Sequence, residues 1–309
     1  MNIVFASAVA PMFGVCLCIW GTGASADDVM PSDLLEKVSA NEALYRDLAV
    51  SVRLMRKPGE DAKPPDKIES NNGFAFVPIV SGETITRHVS QSGMYRVDLE
   101  TDIPTKEGVI RKFIHSKMFD GKTTRLLVDK RNTSVVDGYS GDNNFVRPHM
   151  LLLRRSYYYM PLSSLLSGSE QLRDSRQSSW PTDQAVRYVY DGTKEFRNLK
   201  CHAITVLLSS RDSDEMRIEF LLAEERNLVP ARVMWYQLKV SSLEPVEESE
   251  VLEWTEVEPG IWFPRRATLV KYDPLAMKRK GIKHISWTDE ISTSDLSLKP
   301  QKDQSFFQE

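Results

Sequence analysis

The stretch Val251-Leu-Glu-Trp-Thr-Glu-Val-Glu-Pro-Gly-Ile-Trp-Phe-Pro-Arg-Arg-Ala-Thr-Leu-Val-Lys-Tyr272 decides the fold. Its first half alternates as a strand does. Val251, Glu253, Thr255 and Val257 point to one side, and Leu252, Trp254 and Glu256 to the other. Glu258-Pro259-Gly260 supplies turn chemistry, because proline pre-sets φ and glycine accepts a positive φ without steric cost. A second β-rich run, Ile261 to Tyr272, follows at once, with Pro264 near its start where a missing ladder donor is tolerated. The stretch predicts a long antiparallel hairpin carrying two tryptophans, with Trp254 facing inward beside Leu252.

Similar hairpins recur along the chain. Glu83 to His88, Met94 to Leu99, Val109 to Met118 and Thr123 to Asp129 are separated by Ser92-Gly93, Glu107-Gly108 and Asp120-Gly121. Asp-Gly between alternating runs is a strong local hairpin signal, and Asp137-Gly138 and Asp191-Gly192 repeat it. Further strands are expected over Ala185 to Tyr190, Leu199 to Ser209, Glu215 to Ala223, Val229 to Val240 and Lys283 to Ile291. With Leu48 to Met55, where the apolar period switches to two, this makes about a dozen strands.

Helical spacing is found in two places. After Pro31, Ser32 is the expected N-cap of a helix carrying Leu34, Leu35, Val38, Leu44 and Tyr45. Between Asn143 and Gly168, Met150 to Leu153 and Leu162 to Leu166 read as two helical turns inserted into the sheet order. The expected fold class is therefore mainly β (α+β), built on one large antiparallel sheet.

The first 26 residues contain no Asp, Glu, Lys or Arg. The apolar run Ile3 to Trp20 ends in Ala24-Ser25-Ala26 before Asp27-Asp28, which reads as a signal peptide over residues 1–26, cleaved after Ala26. The n-region carries no Lys or Arg, and a membrane anchor is the competing reading. Val15 before Cys16 and Leu17 before Cys18 argue against lipidation. Residues 27–309 are then expected to form one domain, with a tail less ordered from about residue 292, in an exported and periplasmic protein. Cleavage leaves Cys201 alone, so no internal disulfide is available and the core must supply stability.

Composition excludes several partners. The chain is 41% hydrophobic and 27% charged with a net charge of −3, ordinary for a soluble globular protein and unlike a nucleic-acid binder. His88, His115, His149, His202 and His284 are scattered, without His-x-x-x-His or Cys-x-x-Cys spacing for a metal. Cys201-His202 is an unpromising pair, because neighbours on a strand point to opposite faces. No Gly-x-Ser-x-Gly, phosphate loop or dinucleotide fingerprint occurs. No catalytic residue, metal or cofactor is therefore assigned. Asn132-Thr133-Ser134 is a formal sequon, and Arg154-Arg155 beside Tyr157 to Tyr159 reads either as a membrane-surface patch or as a helix with one solvated face.

Four short segments carry a resemblance. The first helix followed by Leu48-Ala49-Val50-Ser51-Val52, then Gly93-Met94-Tyr95-Arg96-Val97-Asp98-Leu99, then Phe119-Asp120-Gly121-Lys122-Thr123, is similar to the opening of LolA/LolB-type lipoprotein carriers. Phe119 stands where that family carries a serine. Pro259-Gly-Ile-Trp-Phe-Pro-Arg-Arg266 resembles the longer exported relatives called outer-membrane lipoprotein-sorting proteins. The resemblance implies a curved sheet, an incomplete barrel, with helices covering its concave side over an apolar cavity. It implies a non-enzymatic carrier for lipoprotein acyl chains or another apolar ligand, monomeric and in contact with envelope membrane proteins. Tyr95, Val97, Leu126, Val128, Ile204, Val206, Phe220, Trp235 and Trp254 are the candidate cavity lining, with plain core packing as the alternative. Two other functions stay open: an interaction or envelope-sensor module on the same scaffold, and an enzyme using the cavity.

Overall fold

The computed structural model describes residues 31–59, 70–71, 74–75, 81–104, 110–129, 131–138, 147–153, 161–167, 185–209 and 215–308. The cleavage site after Ala26, Arg154-Arg155, Tyr157 to Tyr159 and Glu107-Gly108 lie outside them.

One antiparallel sheet holds thirteen strands among the described residues. They are β1 (Leu48–Pro58), β2 (Gly82–Gln91), β3 (Met94–Pro104), β4 (Ile110–Phe119), β5 (Thr123–Val128), β6 (Arg131–Asp137) and β7 (Ala185–Phe196). The rest are β8 (Leu199–Ser209), β9 (Met216–Ala223), β10 (Pro230–Gln237), β11 (Glu247–Glu258), β12 (Ile261–Tyr272) and β13 (Ile285–Ser297). The order is β6-β5-β4-β3-β2-β1-β13-β12-β11-β10-β9-β8-β7. Each strand pairs with its neighbour in sequence, except that β1 pairs with β13. That single non-local pairing joins two meanders, a first wing (β2 to β6) and a second wing (β7 to β12). The outer strands β6 and β7 are not paired to each other, so the sheet is open rather than a closed barrel.

Turn chemistry sets most of the hairpins. Ser92 (φ 51°) and Gly93 (φ 81°) both take positive φ between β2 and β3, as a type I′ turn requires. Asp120 closes the β4–β5 turn with its own carboxylate, which accepts from the amides of Lys122 (2.9 Å) and Thr123 (2.8 Å). The turn between β7 and β8 is Arg197 (φ 50°) and Asn198 (φ 61°), not the expected Asp191-Gly192. Gly192 (φ 77°) instead lies inside β7, where the register slips opposite His202 and Ile204. The glycine forms a bulge, which needs the same positive φ as a hairpin turn.

Other corrections concern the ends of elements. α1 spans Ser32–Ala43 with Pro31 as its cap residue, so Ser32 lies inside the helix rather than at its cap. The inserted segment contributes a 3₁₀ turn at Pro148–Leu151 and a short α2 at Leu162–Ser167. α3 (Pro274–Lys280), absent from the sequence reading, carries Asp273 as N-cap, Pro274 in its first turn and Gly281 at φ 65° as its stop. β13 runs to Ser297, and Phe307 is fully buried in a final 3₁₀ turn, because Arg96 donates to the Phe306 carbonyl (3.0 Å) and Gln91 exchanges two hydrogen bonds with Lys302.

The main core lies on one face of the sheet, where the helices also pack. Residues directly opposite across a ladder share a face. The register therefore assigns an inner face to the whole sheet, starting from Leu48 and Val50 of β1. No helix among the described residues is long and apolar enough to cross a membrane.

Candidate functional site

The inner face consists of rows running across the strands. In the first wing one row reads Val50, His88, Val97, Lys117 and Leu126. The next reads Val52, Thr86, Leu99, His115 and Val128. On one side lies the row of Leu48, Ser90, Tyr95, Phe119 and Thr124, and on the other that of Leu54, Thr84, Thr101 and Phe113. Tyr95 is fully buried, its ring 6.0 Å from that of Phe119. Val97, Leu99, Leu126 and Val128 are only half-buried.

In the second wing the corresponding row runs through Ile204, Phe220, Val233 and Ser249, and the adjacent one through Val206, Ile218, Trp235 and Glu247. Ile204, Val206, Phe220 and Trp235 are all at most 1% exposed. They pack in one cluster with Leu151, Leu152 and Leu153 of the inserted segment and with Leu162, Leu165 and Leu166 at α2. The helices are pinned there. Glu42 of α1 accepts from the amides of Leu162 (2.5 Å) and Ser163 (3.1 Å), satisfying two of the orphan donors at the start of α2. Ser249 donates to the Leu152 carbonyl at 2.8 Å. A cavity of about 20 Å³ between α1, His149 and Leu228 is room for about one water.

The nine candidate residues thus divide. Four form the half-sealed first wing, and four are packed inside the second. Trp254 follows neither pattern. Bulges on both sides of it break the alternation, so Leu252 is 37% exposed while Trp254 is half-buried. Trp254 touches both the main core and a second cluster of Leu199, Cys201, Ala203, Leu221, Ala223 and Ala231 on the outer face. The expectation that Trp254 and Leu252 share an inward face fails for that reason.

Charge is distributed unevenly over the first wing. Glu83, Asp98, Glu100 and Asp102 all lie on the outer face by register, paired across to Met55, Arg87, Ile85 and Lys112. Arg53 pairs with Glu83 (2.5 Å), Arg96 with Asp98 (3.0 Å), and Lys112 with Glu100. The inner face of β2 to β5 carries no Asp or Glu among the described residues. It carries His88, Arg111, His115 and Lys117 instead, Arg111 at the strand end beside Asp129 (3.6 Å). Burial, and then the charge of Lys117, holds the His115 imidazole below its usual range. Sequence reading missed Lys117, although its place two residues from both His115 and Phe119 puts all three on one side of β4.

Two further polar groupings lie among the described residues. His202 Nδ1 lies 2.9 Å from the Tyr190 hydroxyl, but Glu224 is 3.8 Å from His202 Nε2 and is engaged by Lys200 at 2.8 Å. Cys201 faces the outer cluster, away from His202. No group of three or more His, Cys, Asp or Glu among the described residues could hold a metal ion. A groove of about 230 Å³ on the outer side is lined by Asp191, Lys194, Phe196, Glu219, Arg232 and Met234. Its charges are of both signs and partly engaged, Glu219 by Arg217 (3.0 Å) and Arg232 by Glu248 (2.9 Å).

No family model and no curated protein sequence matches the chain. Among solved structures, a domain from Vibrio parahaemolyticus described as an outer membrane lipoprotein-sorting protein is similar at 12% identity and a TM-score of 0.44, over 88% of this chain and 95% of that one. A DUF1329 family protein from Desulfovibrio piger is similar at 11% identity and a TM-score of 0.42, over 88% and 95%. The lipoprotein LppX of Mycobacterium tuberculosis is 9% identical with a TM-score of 0.27, over 89% and 100%. At this level of likeness no functional residue is carried over from them.

Proposed function

We propose that the chain is an exported, non-catalytic binding protein on a LolA/LolB-like scaffold. It holds an apolar chain, such as a lipoprotein acyl group, along the inner face of the first wing. One observation carries this reading: Val97, Leu99, Leu126 and Val128 lie in two adjacent rows on one face of the sheet and stay half-buried, while the matching residues of the second wing are sealed. An apolar surface of this kind gains most by covering itself with a chain-like ligand. The short motifs at 48–52, 93–99, 119–123 and 259–266 point to the same class of protein. Ile204, Val206, Phe220 and Trp235 support the wing from the packed side and do not touch the ligand.

A second reading rests on the filling of the second wing. With Leu151 to Leu153 occupying that half, the scaffold would serve as an interaction or sensor module for an envelope protein, without a transported ligand. A fluorescent acyl-chain probe titrated into the mature protein separates the two. Under the carrier reading it binds one to one, and Leu99→Glu, which faces Thr86 and His115 across the ladder, weakens it by at least about ten-fold, since burying an unpaired carboxylate against an acyl chain costs more than 1.4 kcal/mol. A wild type that takes up no probe leaves only the interaction module.

A further inference from the structure

We propose that the end of the second wing formed by the β10–β11 and β12–β13 connections is a docking surface for an anionic lipid bilayer. This goes beyond the binding role proposed above and does not depend on it. Successive strands of a meander alternate in direction, so both connections leave the sheet at the same end. They also touch: Lys283 reaches Glu244 at 3.3 Å, and the Tyr272 amide donates to the Val246 carbonyl at 2.9 Å. Of the ten large apolar side chains exposed among the described residues, four lie here: Leu243, Leu275, Ile282 and Ile285. Single exposed leucines are ordinary, but four at one end of a sheet mark an interaction surface.

α3 shows how the surface is built. Met277 turns into the main core, and Leu275, two residues earlier, is 60% exposed on the opposite side of the helix. Lys278 and Arg279 follow Leu275 at three and four residues, so they share its outward face. Gly281 stops the helix, and Ile282 beyond it is exposed, although an apolar residue in that place often folds back onto the last turn. Leu243 is 86% exposed on a turn that is held in place. The Ser241 hydroxyl accepts from the amides of Leu243 (3.3 Å) and Glu244 (3.0 Å), and Arg217 donates to the Ser242 carbonyl (2.9 Å).

Charge selects the partner. Lys278, Arg279 and Lys280 are exposed and make no ion pair among the described residues. The acids beside them are occupied. Asp273 accepts from the amides of Leu275 (2.8 Å) and Ala276 (3.3 Å), Glu244 is held by Lys283, and Glu248 by Lys283 (3.6 Å) and Arg232 (2.9 Å). Residues 238–246 and 273–285, counted with Glu215, whose carbonyl accepts from the Leu238 amide, hold five basic and three acidic side chains. This end is therefore positive on a chain whose net charge is −3. A protein partner suits such a surface badly, because lysine is depleted from protein interfaces and leucine is under-represented among their energetic anchors. A bilayer suits it well: the aliphatic tips enter the acyl boundary while the cations stay at the phosphates.

The test is co-sedimentation of the mature chain with vesicles of phosphatidylcholine, alone or mixed with phosphatidylglycerol. Binding is expected on the mixed vesicles at about 0.1 M salt and should fall steeply at about 1 M, where the Debye length is about 3 Å. Lys278→Gln, Arg279→Gln and Lys280→Gln together should lower the partition coefficient about a hundred-fold, the scale of about three cations at an anionic surface. Leu243→Ser and Leu275→Ser should each lower it about ten-fold, while Val135→Ser, at an exposed site on β6, should leave it unchanged. Basic residues in a last turn also support their helix, so Lys278→Arg with Lys280→Arg, which keeps the charge, must keep the binding. A wild type that ignores the mixed vesicles overturns the proposal and leaves the surface to a protein partner. Equal binding to both kinds of vesicle also overturns it, as does binding that survives the three glutamines or the two serines together. A loss shared by the arginine pair reports the fold of α3 and overturns it too. The acyl-chain probe is titrated without vesicles, so the two proposals fail separately.

Discussion

The two wings are built from the same alternation and reach different ends. In the second wing, inward side chains such as Val206 and Phe220 are fully buried under the helices. In the first wing, residues in equivalent alternating positions, Val97 and Leu126, stay half-open. The cause lies outside the strands. Leu151 to Leu153 and the leucines of α2, the described parts of the connection between β6 and β7, pack on the second wing. Glu42 and Ser249 then fix them there. One wing became a core and the other a surface, although neither strand sequence differs much in period. An alternating apolar strand specifies a face to cover, and says nothing of what covers it.

The sharpest way to break this comparison is to cut matching side chains in both wings. Val206→Ala should cost about 2–3 kcal/mol, as expected for a valine truncated inside a sealed core. Val97→Ala should cost only about 1 kcal/mol, because part of its surface never left water. Urea melts of the two variants measure both. Equal losses would mean that the first wing is sealed as tightly as the second, and that its apolar strip holds no ligand.

A smaller effect belongs to the first wing alone. The Asp120 carboxyl is held at about 2, below its ordinary 3.8, by the Thr123 amide first, then by the Lys122 amide and the Arg125 guanidinium, against the opposing effect of burial. A depressed carboxyl stabilises the fold fully above its unfolded value and loses that contribution as pH falls through its folded value. The β4–β5 turn should thus lose about 2 kcal/mol between about pH 4 and pH 2. Asp120→Asn keeps the acceptor and removes the charge. Its stability deficit against wild type in urea melts should be present at neutral pH and close toward pH 2. A deficit that stays constant with pH would assign the loss to turn geometry rather than to charge.

Much of this architecture was legible in the chain, and the failures have physical causes. Ser92-Gly93, Asp120-Gly121 and Pro259-Gly260 marked hairpin turns, because a positive φ or an Asx carboxylate is a local requirement. Asp191-Gly192 failed because a bulge asks for the same glycine, while the true turn at Arg197-Asn198 contains none. Eight candidate residues follow the alternation onto the face that the register makes inner, a choice between two faces that alternation alone does not make. Trp254 does not, since bulges around it are decided by pairing with β12 rather than by its own strand. The row that places Lys117 between Val97 and Leu126 could not be read at all. It exists only once β3, β4 and β5 are in register, and register is a property of three segments together.

The smallest expected effect concerns Cys201, and it tests the sealed wing from its outer side. The thiol is fully buried among Leu199, Ala203, Leu221, Ala223 and Ala231, and burial pushes it up to about 11. Only the thiolate is reactive, so both the pKa and the packing protect it. If the chain is cleaved after Ala26, as the sequence leads one to expect, Cys201 has no cysteine partner, and reductant should leave the melting temperature unchanged within error. A maleimide reagent at neutral pH should label it only as fast as β8 opens. In Val97→Cys the introduced thiol, on the half-open wing, should label at once, while Cys201 in the same molecule remains slow. The ratio of the two rates measures how much more often one wing opens than the other. If myristic acid slows labelling at residue 97 and leaves Cys201 untouched, the ligand lies on the first wing. If it slows both or neither, the two wings do not divide the work of packing and binding between them.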